Sequence, residues 1–145
     1  MISYTTGCPD CEETSKHPII PCQGKNGRVT FKNPNRHPVL KADLDKCATI
    51  KGLRCDYLVV DRNGPKIEEI FVELKGSHIT HAVKQLRSTI EQISKGKADL
   101  PKICYVSAKR VPVIRTVLQQ HKDDFKIHFR ATLIVKGHEI EHTFS

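Results

Sequence analysis

Apolar residues along this chain fall mostly into short runs, and one stretch alone keeps a sustained helical period. Ile79, Val83, Leu86, Ile90 and Ile93 recur at spacings of four and three. That stripe predicts an amphipathic helix of four turns with Lys84, Arg87, Glu91 and Lys95 on its polar face. Three apolar runs precede it. Leu44 to Ile50 and Cys55 to Asp61 read as strands joined by a hairpin at Lys51-Gly52-Leu53, and Ile70 to Lys75 reads as a third strand after the Asn63-Gly64 turn. Gly76 ends that strand and Gly96 closes the helix. Lys102 to Ser107 then reads as a buried strand, followed by a shorter helix opened by Ser107 or Pro112 and running to about His121. Ile127 to Val135 alternates, with Ile127, Phe129, Ala131, Leu133 and Val135 on one face, and Gly137-His138 turns it into a last short strand ending near Phe144. The order strand, strand, strand, helix, strand, helix predicts an α/β sandwich, a mixed β-sheet flanked by helices.

The first forty residues lack this regularity. They hold Cys8, Cys11 and Cys22, and Pro9, Pro18, Pro21, Pro34 and Pro38 exclude long helices there. Only Arg28 to Lys32 looks like a strand. The expectation is one domain over residues 1–145, with 1–40 an irregular Cys/Pro-rich cap and 41–145 an α/β core.

Composition narrows the class. A chain of 145 residues can bury a real core, and 28% charged residues is near the norm for a globular protein. No run approaches the ~20 apolar residues of a membrane span, so no membrane partner is expected. Met1-Ile2-Ser3-Tyr4 lacks the basic-then-apolar pattern of a secretion signal. A cytoplasmic location is therefore expected, and in that compartment the six cysteines read as thiols or metal ligands in preference to disulfides. The formal net charge of +8 favours a polyanionic partner, most commonly nucleic acid.

Candidate chemistry centres on Asp56, which opens the second predicted strand, and on Glu73-Leu74-Lys75, which closes the third. Strand alternation puts Glu73 and Lys75 on one face, opposite Ile70, Val72 and Leu74. A charged pair at the end of an apolar strand is costly unless it is solvated, paired or bound to metal. Two carboxylates beside a lysine make a hard-oxygen site suited to Mg²⁺ or Mn²⁺. An ion there polarises phosphate and lowers the pKa of bound water. Asp124-Phe125-Lys126 has the same acid-x-lysine spacing but follows the polar stretch Gln119 to Asp123, which makes it a decoy.

Arg54-Cys55-Asp56-Tyr57-Leu58-Val59-Val60-Asp61, then Phe71-Val72-Glu73-Leu74-Lys75-Gly76, then Ala82-Val83-Lys84-Gln85-Leu86 resembles the core of the PD-(D/E)xK nuclease superfamily. This group includes restriction endonucleases, archaeal Holliday-junction resolvases and RecB-type exonuclease domains. The resemblance covers residues 43 to 107 and implies a restriction-endonuclease-like core. It implies that Asp56 and Glu73 ligate the metal, that Lys75 serves the attacking water, and that Gln85 supports the site. Members often carry a further acid on a helix before the first strand. No good helix is predicted here, so Asp45, or Asp43, stands in. The implied activity is metal-dependent hydrolysis of phosphodiester bonds, in DNA first of all. Lys84 and Arg87, with Lys126 and Arg130 on the final sheet, are candidates to hold the backbone, and His78 and His81 to touch phosphate. A homodimer or a larger defence or repair complex is compatible with this size. The alternatives are a non-cleaving nucleic-acid-binding module with the same fold and a zinc-stabilised adaptor.

Cysteine spacing supplies the second constellation. Cys8-Pro9-Asp10-Cys11 has the two-residue gap that points both sulfurs at one ion. Cys22 follows, with His17, His37 or Cys47 as fourth ligand. That set reads as a structural Zn²⁺ staple; a redox-active pair or incidental thiols are the other readings. Cys55 and Cys104, inside predicted strands, read as small core residues.

Overall fold

Strand alternation decides how this chain builds its layers. The computed structural model describes residues 4–25, 27–75, 79–108, 115–137 and 139–145, the Lys75 side chain excepted. In chain order the elements are β1 (Glu12–Ser15), β2 (Ile19–Gly24), β3 (Gly27–Lys32), β4 (Val39–Asp43), β5 (Tyr57–Asp61), β6 (Glu68–Lys75), α1 (Ile79–Ile93), β7 (Lys102–Ala108), α2 (Arg115–Phe129), β8 (Ala131–Lys136) and β9 (Glu139–Thr143). Six strands form a mixed sheet in the order β1-β4-β5-β6-β7-β8. Pairing is antiparallel from β1 to β6 and parallel from β6 to β8. A second sheet, β2-β3-β9, pairs β2 with β3 antiparallel and β3 with β9 parallel.

Both faces of the large sheet are covered, which is why its central strands are almost continuously apolar. Leu40, Ala42, Leu58, Val60, Phe71, Cys104 and Val106 face the helices and meet Ile79, Val83, Leu86, Ile90 and Phe125. Their alternate neighbours Val39, Val59, Ile70, Val72 and Tyr105 pack on Ile20, Cys22, Val29, Phe31 and Ile140 of the second sheet. The result is a mixed α/β protein in three layers: helices, six-stranded sheet, three-stranded sheet. Neither helix is long and apolar enough to cross a membrane.

The N-terminal forty residues are not an irregular cap; they supply β1, β2, β3 and the start of β4. Their prolines do exclude helices, but edge strands and turns tolerate them. Pro21 lies in β2, an edge strand, while Pro18 and Pro38 each stand just before a strand. Leu44 to Ile50 is not a strand either. Asp43 caps a 3₁₀ turn over Leu44–Lys46 by accepting a hydrogen bond from Asp45 N–H, and the strand lies earlier, at β4. Arg54 then gathers the rest of that loop. Its guanidinium donates to the carbonyls of Leu44, Cys47 and Ile50 at 3.2, 2.8 and 2.7 Å. The second helix is longer than expected and ends at Phe129, so Ile127 and Phe129 are helical. Arg130, at φ 54°, makes the abrupt turn into β8. Pro112, one of its two expected openings, lies outside the described residues.

Among the described residues, a buried ion pair links β6 to β7. Glu69 and Lys102 are direct partners in the β6–β7 register, 3.2 Å apart, with side chains 0% and 1% exposed. Glu69 also accepts hydrogen bonds from the hydroxyls of Tyr4 and Ser94. Lys102 Nζ donates to the carbonyls of Lys97 and Leu100 at 2.8 and 3.0 Å.

Candidate functional site

Antiparallel pairing brings the two candidate carboxylates to the same end of β5 and β6, and after burial the charges of both help to raise the pKa of the Cys55 thiol. The β5–β6 register begins with Tyr57 opposite Val72, and Asp56 N–H, just before β5, also donates to Val72 O at 3.0 Å, so Asp56 bulges from the pairing beside the end of β6. Alternation along β6 puts Glu73 on the side of Phe71, which is the helix-covered face. Leu74 N–H donates to Asp56 Oδ2 at 2.7 Å, fixing that carboxylate against the end of β6. Glu73 is buried and Asp56 half-buried.

Helix α1 holds this corner in place. Gln85 Nε2 donates to Arg54 O at 3.0 Å, and Thr89 Oγ1 accepts from Cys55 N–H at 2.8 Å. The Thr89 hydroxyl in turn donates to Gln85 O at 2.8 Å. Two side chains one turn apart thus grip the residues leading into Asp56. Gln85 Oε1 is buried and accepts no hydrogen bond from the described residues. Arg54 and Thr89 escaped the sequence reading. A serine or threonine on a helix's apolar side, as Thr89 is, was the available signal; Arg54 gave none, because its partners are backbone carbonyls.

The remaining candidates scatter. Asp45 is exposed on the 3₁₀ turn. Among the described residues, the one set of three or more metal-ligand side chains within 4.8 Å of one another is Cys8, Cys11 and Cys47. Asp45 is therefore not gathered with Asp56 and Glu73, because Asp43 turns the chain away after β4. Lys75 ends β6, where its backbone pairs with Ala108; its side chain is outside the described part. His78 also lies outside the described residues. His81 and Lys84 are exposed on α1. Arg87 is committed elsewhere. It forms an ion pair with Asp124 of α2 and lies over the rings of Phe125 and Phe129, 5.6 and 5.2 Å from their centroids. The decoy Asp124 thus ties the two helices together. Lys126 is an exposed residue of α2, not of the final sheet, and Arg130 is the turn between the two.

The three sulfurs form the second centre. Because β1 runs antiparallel to β4, Cys8 comes beside the turn that follows β4. Cys8 and Cys47 are joined by a disulfide with Cα atoms 5.3 Å apart across 39 residues, contrary to the expectation of thiols alone. Cys11, half-buried, donates its S–H to Cys8 O at 3.3 Å. Burial, then the nearby charges of Asp43, Glu12 and Asp10, raise its pKa. Cys8, Cys11 and Cys47 are a group that could hold a metal such as zinc. Cys22 is not its third ligand, since β2 alternation sends Ile20 and Cys22 into the core between the sheets. Burial there pushes the Cys22 thiol up to about 12. Cys55 and Cys104 are buried core thiols.

Comparison with known proteins finds no matching family model, no matching curated protein and no matching solved structure.

Proposed function

We propose that this protein is a metal-dependent nuclease of the PD-(D/E)xK kind, hydrolysing phosphodiester bonds in DNA, with Asp56 and Glu73 as its metal ligands. The observation that carries the reading is the tie of Asp56 to both neighbours of Glu73: Asp56 N–H donates to Val72 O and Leu74 N–H donates to Asp56 Oδ2, at the end of β6. The strand order β4, β5, β6, then α1, then the parallel strand β7 supports a restriction-endonuclease-like core around it. The donor set is all oxygen, which fits Mg²⁺ or Mn²⁺. An ion held there lowers the pKa of a bound water and offsets charge on the phosphate.

The chain's own groups do the positioning. The Leu74 amide orients Asp56, while Gln85 and Thr89 fix the backbone from Arg54 to Cys55 that presents it. Lys75, two residues beyond Glu73, supplies the positive charge that orients the attacking water. Attack on phosphorus breaks one P–O ester bond, and the leaving oxygen takes up a proton. Lys84, exposed on α1, is the better candidate for a backbone phosphate contact; Arg87 serves the α1–α2 contact instead.

The test is a substrate panel: supercoiled plasmid, linear duplex, single strand, four-way junction and RNA, each with Mg²⁺, Mn²⁺ or EDTA. Metal-dependent cutting of DNA is expected. Salt-sensitive binding without cleavage under any condition would replace this reading with a non-cleaving nucleic-acid-binding module.

A further inference from the structure

The three-sulfur cluster holds one cysteine more than its disulfide needs. Cys8 and Cys47 form the bond, yet Cys11 Sγ lies within 4.8 Å of both sulfurs. Cys11 also borders a pocket of about 310 Å³ lined by Asp10, Glu12, Glu13 and Asp43 together with Lys41, Lys46 and Tyr57. Thiolates bound to one tetrahedral zinc, at about 2.3 Å each, stand about 3.8 Å apart, a separation these three can reach with small side-chain shifts. Disulfide and metal use the same sulfurs, so the two states exclude one another.

We propose that Cys8, Cys11 and Cys47 are a redox-gated zinc staple. Oxidised, the Cys8–Cys47 bond ties the segment before β1 to the loop after β4. Reduced, the three sulfurs hold one Zn²⁺ across the same gap, with the fourth position taken by water or by a carboxylate of the neighbouring pocket. A dithiol reductant delivers two electrons and two protons to the disulfide and leaves as its own cyclic disulfide. The three thiols then release three protons as the ion binds. Residue 8 is therefore stapled to residue 47 in either state. Cys47 O is held by Arg54, two residues before Asp56, so the staple steadies the loop leading to the candidate carboxylates under both conditions. Soft sulfur selects zinc, while an oxygen pair selects Mg²⁺ or Mn²⁺, so the two centres do not compete for one ion.

Zinc and cobalt titrations of the full chain test this, before and after reduction with a phosphine that does not itself hold zinc. The reduced protein is expected to bind one Zn²⁺ per chain and to show a thiolate-to-cobalt charge-transfer band with Co²⁺; the oxidised protein shows neither at this site. Cys11→Ser keeps the Cys8–Cys47 disulfide, read by mass after alkylation, but its reduced form binds zinc about tenfold or more weakly. Zinc is also expected to return the Tm of the reduced parent toward that of the oxidised protein. A reduced parent without the cobalt band, or a band undiminished in Cys11→Ser, would overturn the proposal.

Discussion

Glu69 and Glu73 lie four residues apart on one face of β6, both buried, in different surroundings. Glu69 stands beside Lys102 and accepts from Tyr4 and Ser94, so its charge is balanced within the core. The burial of Tyr4, followed by the charge of Glu69, holds that phenol far above its ordinary pKa, in its neutral donating form. Glu73 has Asp56 tied to both its neighbours, through Val72 O and Leu74 N–H. Neighbouring carboxylates in a partly dry site raise each other's cost of ionisation, which a bound cation would offset. The lesson is that burial alone does not mark a functional acid. What marks it here is a second carboxylate at the same strand end.

The sharpest way to break this comparison is to neutralise each glutamate in turn. Glu73→Gln is expected to keep the fold and to lower metal-dependent cleavage about a thousandfold, as several kcal/mol of charge stabilisation at about 1.4 kcal/mol per tenfold imply. Glu69→Ala leaves Lys102 buried without its partner and is expected to cost roughly 3–5 kcal/mol in urea unfolding. If Glu69→Ala instead removed cleavage at unchanged stability, the two roles would be reversed. Replacing both partners, Glu69→Leu with Lys102→Met, is expected to recover most of that loss.

A smaller effect concerns the loop. Arg54→Ala removes hydrogen bonds to the Leu44, Cys47 and Ile50 carbonyls and is expected to cost about 2–3 kcal/mol. Faster amide exchange over residues 44–50 is the local sign, measured with the disulfide intact. At the far side of the sheet, His142 sits among Phe31, Tyr105 and Phe144, and burial lowers its pKa. The folded state thus favours neutral imidazole. That contribution is present above the ordinary histidine pKa of about 6.5 and is lost as pH falls below it. His142→Phe is expected to flatten this part of the stability–pH profile. The smallest change is Lys84→Ala, which should reduce the slope of log binding against log salt by about one for DNA. Arg87→Ala should leave that slope unchanged and cost about 1 kcal/mol of stability, as its ion pair is part-exposed.

What the sequence disclosed follows from how local each signal is. The α1 stripe was legible because Ile79, Val83, Leu86, Ile90 and Ile93 all bury one face. Strands β5, β6 and β7 were legible because both their faces are apolar. Asp56 and Glu73 could be named because each ends such a run. The N-terminal strands were obscured by prolines that sit at edges and turns, though Ile20 with Cys22 and Val29 with Phe31 do alternate. The end of α2 was hidden because Arg130 takes a left-handed conformation that usually announces itself as glycine. The Glu69–Lys102 pair joins positions 33 residues apart, and no local pattern encodes it. The place of Cys47 beside Cys8 and Cys11 depends on β1 pairing with β4, which spacing alone does not give.

The most direct measurement of the central claim is Mn²⁺ binding, by electron paramagnetic resonance, to the oxidised protein, in which two of the three clustered sulfurs are occupied. The account predicts Mn²⁺ that is bound by the parent, displaced by Mg²⁺, and lost in both Asp56→Asn and Glu73→Gln. Binding that survives in both variants, or no binding to the parent, would contradict the assignment of this carboxylate pair as a metal site.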